Sequence, residues 1–125
     1  MGLFHYLLII GIKSCYEKEK VKKYFSKKDF IIIEKTNNYV SLAHDSTWGK
    51  IEVLIGKTEV SIRTKIQNKV EIMNIIFSYL QELSKILGRD IKVYDFQSKI
   101  LLDLSDRNEL KSLYLKRQDQ LKMYF

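Results

Sequence analysis

Residues 68–88 constrain the fold more than any other stretch. Val70, Met73, Ile76, Phe77, Leu80, Leu83 and Leu87 recur at spacings of three and four, which makes a wide apolar stripe along one helix. Asn68 and Glu71 have the spacing of a capping box, with Asn accepting from an early helix amide and Glu reaching back, and Gly88 supplies a left-handed stop. A stripe this wide has to be buried. The rest of the chain must therefore offer an apolar surface long enough to receive it.

Residues 30–66 predict that surface. Phe30, Ile31, Ile32 and Ile33 are four consecutive apolar residues, three of them β-branched, and predict a strand buried on both faces. Asn37 and Asn38 tolerate positive φ, as a tight hairpin requires, before residues 39–44 return as a second strand. Beyond the polar break at Asp45, Ser46 and Thr47, Ile51, Val53 and Ile55 alternate, and Gly56 with Lys57 allows a two-residue turn into Val60, Ile62, Thr64 and Ile66. The expectation is an antiparallel four-stranded meander covered by the long helix.

Other helices flank this unit. Residues 16–28 place Val21, Tyr24, Phe25 and Lys28 at helical spacing, with lysines on the remaining sides, which predicts an N-terminal basic helix. After two short strands, or one strand and an irregular turn, in residues 91–104, Asp106 and Glu109 cap a C-terminal helix marked by Leu110, Leu113, Tyr114, Leu121 and Tyr124. The whole reads as a single α+β domain over residues 1–125. Over most of the chain the order of helix, meander, helix, short hairpin and helix resembles that of type III secretion chaperones and YbjN-like folds, although those chaperones are usually acidic. A ferredoxin-like domain with an inserted hairpin accounts for residues 3–96 in a similar way. Likeness of fold carries no function by itself.

Charge is more local than the net +7 suggests. Residues 1–28 carry seven Lys against two Glu, residues 29–68 five of each sign, and residues 69–125 ten against eight. The 18 Lys against 4 Arg, 16 Ile and single Ala follow an AT-rich coding bias, so position says more than the total. Two basic clusters result, one from Lys13, Lys18, Lys20, Lys22, Lys23, Lys27 and Lys28, the other from Lys111, Lys116, Arg117 and Lys122.

Catalytic patterns fail one after another. His5, His44 and Cys15 are the whole soft-ligand inventory and share no metal-binding spacing. Gly56, Lys57 and Thr58 resemble the end of a phosphate-binding loop, but that motif needs a further Gly where Ile51 stands and a helix where a strand follows. Asp103 with Asp106, and Asp90 with Asp95, are carboxylate pairs explained as well by caps and turns. No cofactor, metal or small-molecule substrate is expected, and the chain is read as non-enzymatic.

The N-terminus permits two readings. Residues 3–12 form an apolar run too short to span a bilayer. Ile12, Lys13, Ser14 and Cys15 resemble a degenerate lipobox, although no Lys or Arg precedes the run, His5 interrupts it and Lys13 is out of pattern. A membrane-anchored lipoprotein therefore requires lipidation of Cys15, whereas the alternative is a buried first strand. Met1 and Gly2 open like a myristoylation signal that Tyr6 breaks.

The leading expectation is a small protein-interaction domain, immunity-, chaperone- or adaptor-like, holding one acidic protein partner. Lys18, Lys22, Lys23 and Lys27 are its electrostatic contacts, with Trp48 as an aromatic anchor. Nucleic-acid binding through the same lysines with Lys116 and Arg117 is the alternative, weakened by the lack of Arg in the basic helix. A single cysteine fits a reducing compartment, so the expected location is cytoplasmic.

Overall fold

A computed structural model describes residues 4–124. The elements are β1 (His5–Gly11), α1 (Cys15–Lys27), β2 (Ile31–Lys35), β3 (Val40–Ser46), β4 (Gly49–Ile55), β5 (Glu59–Lys65), α2 (Ile72–Leu87), β6 (Val93–Asp95) and α3 (Arg107–Gln120), followed by a 3-10 turn at Lys122–Tyr124. The architecture is α+β, with three helices on an antiparallel sheet. The myristoylation reading of Met1 and Gly2, and the first residue of the apolar run, lie outside the described residues.

The sheet has six strands in the order β2-β3-β4-β5-β1-β6. The meander β2 to β5 forms, but four strands undercount the sheet, because β1 returns beside β5 and takes β6 on its other edge. Its alternation explains the position: Tyr6, Leu8 and Ile10 are buried against the helices, and both backbone edges have partners. The segment β6-β1-β5-β4 with α1 and α2 has the connectivity of the ferredoxin-like alternative, with β2 and β3 as the inserted hairpin.

One contiguous core joins the layers. Leu42, Ile51, Val53, Ile55, Val60 and Ile62 meet Val21 and Phe25 of α1, the α2 stripe, and Leu110 and Tyr114 of α3. Phe25, Phe30 and Tyr79 form an edge-to-face cluster where α1, α2 and the start of β2 converge, with ring centroids 4.9 to 5.7 Å apart.

Local expectations are corrected at several places. The capping box at Asn68 and Glu71 does not form, because α2 begins at Ile72 and the Asn68 amide instead donates to Thr64 Oγ1 at 2.8 Å. Asn37 and Asn38 do not take positive φ; the turn is held by Thr36 Oγ1, which accepts from the amides of Asn38 and Tyr39. Residues 91–104 take the second of the two expected forms, one strand and an irregular turn with a single bridge from Tyr94 to Leu101, whereas Tyr124, expected on the last helix, lies beyond it and is exposed. The largest departure is β2, expected to be buried on both faces. Ile31, Ile32 and Ile33 are 67%, 48% and 53% exposed, because β2 is the edge of the sheet and α1 rests over β4 instead.

Gly88 ends α2 with φ of 66°, as its place after the stripe predicts. Asp106 caps α3 by accepting from the Asn108 amide. Gly56 donates to the Glu59 carbonyl at 2.9 Å and closes the β4–β5 hairpin, which disposes of the phosphate-loop likeness.

Candidate functional site

Helix α1 is fixed by a capping arrangement at its start. Ser14 Oγ accepts from the Glu17 amide at 3.2 Å, and Glu17 Oε1 accepts from the Lys13 amide at 2.8 Å. Glu17 also receives Arg89 Nε at 2.7 Å and Nη2 at 2.8 Å, while the same Nη2 donates to the Gly11 carbonyl at 3.0 Å. One guanidinium thus ties together the end of β1, the first turn of α1 and the end of α2. The bonds from Arg89 hold the Glu17 carboxyl at about 2, well below its ordinary value.

Along one side α1 faces α2. Tyr24 donates to Glu82, Lys28 pairs with Glu82 at 3.4 Å, and Lys20 Nζ reaches the Ile86 carbonyl at 3.5 Å. Burial and the Glu82 carboxylate push the Tyr24 phenol well above its ordinary value. At 100° per residue, Lys18 and Lys22 then fall on the flank away from α2, and Lys23 and Lys27 on the outer face. The helices stand in the order α1, α2, α3 across the sheet, so that flank is the one beside β2. Among the described residues, none of Lys18, Lys22, Lys23 and Lys27 forms an ion pair.

Trp48 sits apart from most of these lysines. It occupies the β3–β4 turn, its amide donating to Ser46 Oγ at 3.3 Å, with Lys69 Nζ 5.8 Å from the ring centroid. That turn lies at the end of the sheet where α1 finishes, so Lys27 is nearer along the fold than Lys18 or Lys22. Trp48 is 36% exposed, a partial anchor at most. The second basic cluster belongs to α3 and the 3-10 turn after it, on the far side of α2, so the two clusters do not form one stripe.

Several other residues considered for chemistry have structural partners. Asp95 is 2% exposed and accepts from the Tyr6 hydroxyl and from the Ser98 amide at 3.0 Å. Asp103 accepts from Ser105, and His44 lies against the Phe30 ring at 5.3 Å between centroids. Cys15 is exposed on the first turn of α1. Two depressions, of about 660 Å³ beside Leu115 and Gln118 and about 540 Å³ between Gln81 and Asp103, are open. Among the described residues no three His, Cys, Asp or Glu groups converge as metal ligands, and no helix is long and apolar enough to cross a membrane.

The feature that sequence reasoning missed is the apolar edge of β2. Three consecutive isoleucines suit a doubly covered strand and an uncovered edge equally, and only strand order separates the two. No family model matches the chain, and no curated protein or solved structure is significantly similar to it.

Proposed function

We propose that this chain is a non-enzymatic protein-interaction module that holds one acidic protein partner through the basic surface of α1. The observation that carries the reading is the set of four lysines without anionic partners among the described residues, Lys18, Lys22, Lys23 and Lys27, on a helix whose Glu17 and Lys20, with Lys28 just past its end, are tied to α2 or to its end. Unpaired cations concentrated on one element raise the rate of encounter with an acidic surface and select against basic ones. Lysine, a point charge without the bidentate fork of arginine, suits this better than base readout.

The test is capture from lysate, with and without nuclease treatment, by the wild-type chain, by the variant with all four lysines replaced by Glu, and by Lys116→Glu. A protein retained by wild type and Lys116→Glu but lost from the fourfold variant supports the reading. Equal capture by the fourfold variant refutes it. Capture that disappears on nuclease treatment transfers the lysines to phosphate binding, with a steep salt dependence as its signature.

A further inference from the structure

We infer that the partner contributes an extended acidic segment that adds to the sheet as a strand along the free edge of β2. The inference rests on the interaction reading above and names the binding mode. Natural edge strands are blunted by proline, by inward or outward charge, or by cover from a helix or loop. The free edge of β2 has no proline and, among the described residues, no cover, and its three exposed isoleucines precede the charged Glu34 and Lys35. A bulge between Ile32 and Glu34 and the charges of Glu34 and Lys35 protect only its far end, leaving the isoleucines bare.

Geometry selects the kind of occupant. Ile31 stands opposite Ala43, on the face without helices, and Ile32 opposite Leu42, on the helix side. Successive residues of a strand point to opposite faces, so a body resting on either face covers only part of this set. An object lying in the plane of the sheet, along the edge, touches both faces at once. That object is another strand, held by main-chain hydrogen bonds and given preference by its side chains. The five residues of β2 present about 17 Å of edge, enough for a short segment.

Charge selects among strands. The flank of α1 beside β2 carries Lys18 and Lys22, so the incoming segment meets apolar side chains at the edge and unpaired ammonium groups above it. A segment alternating apolar and acidic residues answers both. A second copy of this chain answers them poorly, since two molecules of net charge +7 would bring two basic helices together.

The probe is a labelled, end-blocked heptapeptide alternating Glu and Val, titrated into the full chain at low salt, beside an analogue N-methylated at alternate residues. The parent peptide is expected to bind, with at least tenfold weaker binding by the analogue, by the Ile31→Thr/Ile33→Thr variant and by Lys18→Glu/Lys22→Glu. Backbone amides of β2 should also gain protection from hydrogen exchange. Both isoleucines are exposed, so the threonine variant should unfold at the wild-type temperature, and a folded variant with unchanged affinity overturns the inference. Equal binding of parent and N-methylated peptides, or no binding of the parent, also overturns it, while the α1 reading stands or falls on the separate capture test. A wild-type dimer in sedimentation that the threonine variant dissociates assigns the edge to a second copy and overturns it too.

Discussion

Two buried or half-buried polar contacts decide more than their number suggests. Tyr6 is 1% exposed and packs edge-to-face on Tyr114 at 5.2 Å, with its hydroxyl donating to Asp95 on the neighbouring strand. Burial and the adjacent carboxylate push its phenol far above the ordinary value, so it remains a donor throughout the working pH range. Tyr6→Phe leaves a buried carboxylate oxygen without its donor and should destabilise the fold by about 1–3 kcal/mol, read from urea unfolding. The Glu17–Arg89 pair makes a prediction in pH. Because the folded Glu17 carboxyl is held at about 2 against an ordinary 4.5, its stabilisation is present above that ordinary value and is lost as pH falls through about 2. The difference in unfolding free energy between wild type and Glu17→Gln should therefore be largest above pH 5 and disappear near pH 2. A difference independent of pH would assign the pair no linkage.

Elements are set by the same few contacts at their ends. The Ser14-x-x-Glu17 spacing is a legible capping signal, yet it falls in the residues that resemble a lipobox, while the matching signal at Asn68 and Glu71 does not operate. Asn68 is diverted because its side chain fills the space beside Gly49. That glycine has φ of 137°, and a Cβ there would come within 2.6 Å of Asn68 Oδ1, whose amide group is already bonded to Thr64. Gly49→Ala should cost about 2 kcal/mol or more through both strain and collision. Gly11→Ala, with nothing within 4 Å of its Cβ, is the control and should change the thermal midpoint little. Equal midpoints for the two variants would mean that the β3–β4 turn and the Asn68 loop adjust freely. The candidate lysines were legible because helical spacing places them, whereas the division of α1 into an α2-facing side and a β2-facing flank was not, since it depends on which helix packs beside it.

At the scale of the molecule, β1 is the element on which the sheet closes. It pairs with β5 over seven residues and with β6 over three, and it contributes Tyr6, Leu8 and Ile10 to the core. Deleting residues 1–14 should abolish cooperative unfolding, measured by far-ultraviolet circular dichroism, because β6 loses the strand it pairs with and Val60 and Ile62 lose cover. A truncated chain that still unfolds cooperatively would revive the lipoprotein reading, in which the mature domain begins at Cys15. The sequence by itself determined the elements: periods of two and 3.6, the glycine stop at Gly88 and the cap at Asp106 are written in neighbours along the chain. It also determined that one face of the meander is apolar and that charge gathers on α1. Tertiary structure alone decided strand order, and with it that β1 lies inside the sheet and β2 outside. Pairing energies depend on contacts between residues distant in sequence, and an apolar run carries no mark of how many of its sides will find a neighbour.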